Sequence, residues 1–275
     1  MLEIEPTFYT PVVRWKQGEY LAHSALDPEI AKFVLPHIVL PPPKESDPER
    51  GRVLTNEELI CEHAARVGAH WSGRPCLLDT RFLGAALDAS EAPAWLPALF
   101  DAVDRKRGRA IPVTDLSAQP GEVEGTARVL TKQRHGLALR VTLLDLADAT
   151  LAQLVRKHVA RIGADAGETI LLLDLSEAGF SDAQAIAGAI AEYAHRLQAI
   201  SKWRRIIFEG SNFPDKNTAP KNGITRVRRN EWLAWRNTVI CAKAYTLAIL
   251  QLITAPSSSK ENVAVAVRYR ISAMH

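Results

Sequence analysis

The chain has 275 residues, 47% hydrophobic and 24% charged, the composition of an ordinary globular protein. Its net charge of +3 is too small to imply a nucleic-acid partner without a clustered basic patch, though it does not exclude one. The longest apolar stretch, 242–255, is interrupted by Lys243 and Gln251, so no membrane span is expected, and Cys61, Cys76 and Cys241 fit neither a disulfide framework nor a paired metal site.

The first residues, MLEIEPTFYTPVV, are acidic and lack an apolar core of signal-peptide length. With the cysteine usage, this predicts a cytoplasmic location. The first strand is expected at Val12-Val13-Arg14-Trp15-Lys16, followed by helical structure from Gly18 to Val34 that restarts at Asp27-Pro28. His37-Ile38-Val39-Leu40 reads as a second strand, closed by three prolines. Thr55 and Glu58 have capping-box spacing, and the apolar stripe behind them predicts a helix over 56–70. Cys76-Leu77-Leu78-Asp79 is the third strand, and 94–107 the next helix. Ala110-Ile111-Pro112-Val113-Thr114 is a fourth strand weakened by its proline. Residues 117–135 read as a glycine-containing connection. Leu137-Ala138-Leu139-Arg140 follows, then a helix near 151–162, the strand Ile170-Leu171-Leu172-Leu173-Asp174, a long helix over 182–200, the strand Ile206-Ile207-Phe208-Glu209, a helix over 230–240 and a final strand within 245–253. No internal sequence repeat is identified.

Apolar runs of this kind suit strands buried on both faces, and roughly eight strand-then-helix units predict a parallel β/α barrel in one domain over 1–275. A doubly wound open sheet is the alternative. Neither GxGxxG after the first strand nor GxxxxGK[ST] occurs, which weakens the nucleotide-binding versions of that alternative and leaves the cofactor unassigned.

The charge that ends each run points, in a barrel, into the mouth where such folds place their sites. Asp79, Asp174 and Glu209 are therefore the candidate catalytic groups, and Lys16 and Arg140 the candidate ligand-binding cations. A closed network of ion pairs is the competing explanation for the same residues. Asp115, Asp145 and the local pair Asp79-Thr80-Arg81 are further rim candidates. In the turn after Glu209, Gly210 allows close backbone approach, and Ser211 and Asn212 offer short hydrogen-bonding groups. Lys221, Arg226, Arg228 and Arg229 form the densest basic run, read as a solvated surface or, more sharply, as an anion site that includes Arg229. His63 and His70 lack a third partner for a metal, so no metal site is assigned. Trp232 and Trp235 are expected in the core.

Several blocks resemble the beta protein family, named for a T-even phage protein and found in bacteria. They are Val13-Arg14-Trp15-Lys16-Gln17-Gly18-Glu19-Tyr20, Leu35-Pro36-His37-Ile38-Val39-Leu40-Pro41-Pro42, Leu172-Leu173-Asp174, Gly210-Ser211-Asn212-Phe213-Pro214, Arg229-Asn230-Glu231-Trp232-Leu233-Ala234-Trp235 and Arg268-Tyr269-Arg270, in family order. The resemblance covers most of the chain. It implies association with phage or mobile elements and supplies no reaction. One departure stands out: family members carry a Phe-Gly-Asp-Tyr strand end where residues 242–255 have none. A local frameshift there is the expectation, with a degraded last unit and a chain truncated at its C-terminus. Two functions stay open. One is a barrel-mouth site for a phosphate- or sugar-containing ligand, with enzyme activity undecided. The other is a non-catalytic protein partner in phage–host conflict, a defence role. The expected partner is thus a small anionic ligand or a protein.

Overall fold

The computed structural model describes residues 9–43, 54–176, 178–211 and 224–241. Seven strands form one sheet in sequence order, and every neighbouring pair is parallel. They are β1 (Val12–Arg14), β2 (His37–Val39), β3 (Pro75–Asp79), β4 (Arg109–Asp115), β5 (Leu137–Thr142), β6 (Thr169–Asp174) and β7 (Arg205–Glu209). Helices connect them: α1 (Gln17–Ser24), α2 (Pro28–Ala31), α3 (Asn56–His70), α4 (Gly84–Leu87), α5 (Ala92–Arg105), α6 (Pro120–Gln133), α7 (Leu143–Ala147), α8 (Leu151–Ile162), α9 (Ala183–Ile200) and α10 (Asn230–Cys241). The final strand expected within 245–253 and the frameshift expected over 242–255 lie outside the described residues. No helix among the described residues is long and apolar enough to cross a membrane.

The strands are apolar throughout because both of their faces are covered. Leu77, Ile111, Ala138, Ile170, Leu172 and Ile207 meet in an inner cluster, with Val113 packed against it. The alternate residues face the helices. Cys76, Leu78 and Ala110 join an outer core with α3 and α5, while Leu139, Val141, Leu171, Leu173 and Phe208 join a second with α8 and α9. One inner core thus links two outer ones. The sheet is strongly curled. β2 and β7 are five strands apart, roughly 24 Å in a flat sheet at about 4.8 Å per strand. Yet a ring nitrogen of His37 on β2 lies 2.7 Å from the carboxylate of Glu209 on β7.

Three expectations need correction. Residues 117–135 are not a plain connection, because α6 occupies most of them. Pro120 sits in its first turn, and Gln119 and Glu122 form a capping box. Gly125 is a packing device: a Cβ there would lie 2.5 Å from the Ala92 carbonyl oxygen on α5. Pro112, expected to weaken β4, lies inside a seven-residue strand. The pairing of β4 with β5 begins only at Val113, so the proline sits where that ladder has not started. Trp232 and Trp235 meet at 4.8 Å with their rings tilted by 53°, but Trp232 is exposed and Trp235 only half-buried, so the pair sits at the edge of the core rather than within it.

Candidate functional site at the carboxyl end of the sheet

The residues that pack the inner cluster share one parity along each strand, and the strand-end charges continue it. Asp79 follows Leu77 by two residues, Asp115 follows Val113, Arg140 follows Ala138, Asp174 follows Leu172 and Glu209 follows Ile207. A period of two sends each of them inward. Arg14, at the end of β1, and Lys16, which precedes α1, stand at the same end of the sheet.

Three strands end in the same local device. One carboxylate oxygen pins the loop and leaves the other for the interior. Asp79 Oδ1 accepts the Arg81 N–H at 2.8 Å. Asp115 Oδ1 accepts from Ser117 N–H at 2.9 Å and Oγ–H at 2.6 Å. Asp174 Oδ1 accepts from Ser176 N–H at 3.0 Å and Oγ–H at 2.6 Å. The tripeptide Asp-Leu-Ser occurs at both 115–117 and 174–176 and is the sequence signal for this device.

The free oxygens are joined by cations. Arg140 donates from Nη2 to Asp115 Oδ2 at 2.7 Å and from Nη1 to Asp174 Oδ2 at 3.3 Å. Arg81 donates from Nε to Asp79 Oδ2 at 2.7 Å, and its Nη1 stands 4.0 Å from Asp174 Oδ2. His37 closes the chain of contacts. Its Nδ1 lies 2.7 Å from Glu209 Oε1 and its Nε2 3.2 Å from Asp79 Oδ2. The result is one continuous path: Glu209–His37–Asp79–Arg81–Asp174–Arg140–Asp115. His37, Asp79 and Glu209 are buried at its base; Arg81 and Arg140 retain 24% and 14% side-chain exposure above them.

This arrangement fixes the protonation of the base. Burial alone would lower the His37 pKa. The Glu209 charge and the hydrogen bonds to both carboxylates outweigh it, and the pKa rises to about 9. At neutral pH His37 is an imidazolium donating both N–H groups, with no ring lone pair left for a metal. For Asp79 the burial cost is likewise outweighed, by Arg81 and His37, and its pKa falls. The Asp174 pKa is lowered too: against burial stand the Ser176 hydrogen bonds, Arg140 and Arg81. The Arg140 pKa rises despite burial, under the combined charge of Asp79, Asp115 and Asp174. Glu19 on α1 behaves oppositely. Its desolvation dominates the attraction of Lys16 and Arg14, and its pKa is raised to about 8.

Among the residues expected at the site, the structure brings Asp79, Arg140, Asp174 and Glu209 into one network and sets Lys16 at the same end of the sheet. Ser211 lies just past β7, and Asn212 lies outside the described residues. Gly210 does not open onto a ligand; the Phe180 ring stands 2.5 Å from where a Cβ would be. Arg229 precedes α10, half-exposed and paired with Glu231. Asp145 caps α7 through Thr142. Among the described residues, no group of three or more His, Cys, Asp or Glu side chains is arranged to hold a metal ion. From sequence His37 reads only as part of a strand, and no sequence signal points to its place in the site.

The Beta protein family model matches residues 9–246 of the chain. No curated protein matches it.

Proposed function

The chain belongs to the Beta protein family, and from that premise and the geometry of the sheet's carboxyl end we propose that it binds a small phosphate- or sugar-phosphate-bearing ligand there. The observation that carries this is the pair of partly exposed guanidiniums, Arg81 and Arg140, that stand above the buried base of the site. Arg14, Lys16 and the His37 imidazolium bring further positive charge to this end, where Asp79, Asp115, Asp145, Asp174 and Glu209 bring negative charge. Two partly exposed guanidiniums suit an anion with several acceptor oxygens. Lys16 and Arg140 hold the anion. Asp174 and Asp79 orient the guanidiniums, and Glu209 keeps His37 charged. A reaction at this site would use Asp79, Asp174 or Glu209 as acid–base groups, with His37 as the reservoir of the proton. The curl of the sheet supports a closed β/α barrel in one domain, and a cytoplasmic, phage-associated setting fits the family premise.

A second reading rests on the completeness of the pairing. A network whose carboxylates all meet cations also suits a scaffold for protein contacts with no ligand at all. Thermal shift separates the two. Ribose 5-phosphate, glucose 6-phosphate and inorganic phosphate at millimolar concentration should raise the melting temperature by a few degrees. Lys16→Met should weaken that response several-fold, measured against the variant's own unliganded melting temperature. If no phosphate compound raises it, the scaffold reading stands.

A further inference from the structure

The turn after β3 contains an aromatic ring that the network does not use. Asp79, Thr80 and Leu83 are buried, yet Phe82 between them is 39% exposed. Arg81 turns back into the network and leaves Phe82 on the rim beside it. Two guanidiniums meet this ring. Arg14 from β1 lies 4.7 Å from its centroid, and Arg81 lies 5.9 Å away. Both arginines belong to the carboxyl end of the sheet.

We propose that the ligand is a nucleotide, with its base stacked on Phe82 and its phosphate drawn to Arg81 and the neighbouring cations. The inference rests on the anion-binding reading above and narrows it to one class. A sugar phosphate needs cations but no ring. A partly exposed aromatic with guanidiniums beside it joins a π surface to planar cations, the combination on which bases stack without sequence-specific hydrogen bonds. Proximity also fits, because Arg81 is near both the ring, at 5.9 Å from its centroid, and the network, through its hydrogen bond to Asp79. The simpler explanation, a phenylalanine that shields two arginines, accounts for the contacts. It does not account for the 39% of this residue that stays exposed at the end of the sheet where the charges converge.

Isothermal titration of the full chain with AMP, GMP, CMP, UMP, ribose 5-phosphate and adenosine tests this. At least one nucleotide should bind about tenfold tighter than ribose 5-phosphate, the usual worth of one stacked base. Phe82→Leu, which keeps the apolar cover but removes the ring, should erase that gap and leave ribose 5-phosphate binding unchanged. Phe82→Tyr should keep the gap, which guards against a folding defect in the first variant. Equal binding of nucleotides and ribose 5-phosphate overturns this inference alone. A gap that survives in Phe82→Leu does the same. Failure of every phosphate compound to bind overturns both this inference and the reading beneath it.

Discussion

His37 makes the stability of the fold depend on alkaline pH. Its folded pKa is about 9 against an ordinary value near 6.5. The contribution is complete below pH 6.5 and is lost as pH rises through 9, on the order of 3 kcal/mol from the size of the shift. Urea midpoints between pH 6.5 and 9.5 should therefore fall. In His37→Gln the slope should vanish, and stability at pH 6.5 should drop by about 3–5 kcal/mol because Glu209 loses the imidazolium and Asp79 keeps only Arg81. An unchanged alkaline slope in the variant would show that another group titrates. His63 has the opposite sign. It is fully buried on α3, neither ring nitrogen has a hydrogen-bond partner, and its pKa is lowered to about 4, chiefly by desolvation. Its neutral form is favoured in the fold, so stability is complete above pH 6.5 and falls away as pH drops towards 4. His63→Leu should be more stable than the parent at pH 5, by about 1–2 kcal/mol, and close to it at pH 8. A thermal melt at both pH values checks this; equal loss at both would mean that the ring's shape matters more than its proton. The two histidines also show what a sequence reveals at this scale. Asp79, Asp174 and Glu209 were legible because each terminates an apolar run. His37 opens its strand, and only the curl of the sheet, a property of the whole fold, brings it to Glu209.

α6 packs tightly against α5 where Gly125 approaches the Ala92 carbonyl. Gly125→Ala places two effects in competition. Alanine improves helix propensity by about 1 kcal/mol. The added methyl would also meet backbone at 2.5 Å, and backbone cannot swing aside like a side chain. Overpacking of this kind costs about 1–3 kcal/mol, so the variant should be less stable on balance. A higher urea midpoint for Gly125→Ala would show that the two helices can move apart cheaply. The same glycine explains why α6 was missed. Gly121 and Gly125 read as breaks when helix propensity is the guide, whereas their purpose is proximity to a neighbour that cannot be seen locally. α3 was legible end to end because Thr55 and Glu58 declare its start and its inner stripe needs no knowledge of its partner. β4 lay between these cases. Its apolar residues marked it, while its proline could be judged only once its pairing was known.

The molecule has a seam. β4 and β5 have seven and six residues, yet they pair over only three positions, Val113 to Asp115 with Ala138 to Arg140. On either side the ladders are longer, five positions between β3 and β4 and six between β5 and β6. The two outer cores divide at the same place, and the inner cluster spans it together with the Arg140–Asp115 ion pair. The chain should therefore open as two cooperative blocks rather than fray evenly. Native-state hydrogen exchange should give β3 amides and β6 amides different opening free energies, with β5 following β6. Asp115→Ala should lower protection of residues 113–115 and 138–140 first, ahead of either block interior. Uniform protection from β3 to β6 would mean that the sheet breaks as one. Division along such a line would let the two halves breathe against each other while each remains folded. Since Arg81 reaches towards Asp174 and Arg140 joins Asp115 to Asp174, that breathing would run through the charged groups themselves. Anything seated among them would act as a clasp, slowing the exchange of amides that it never touches.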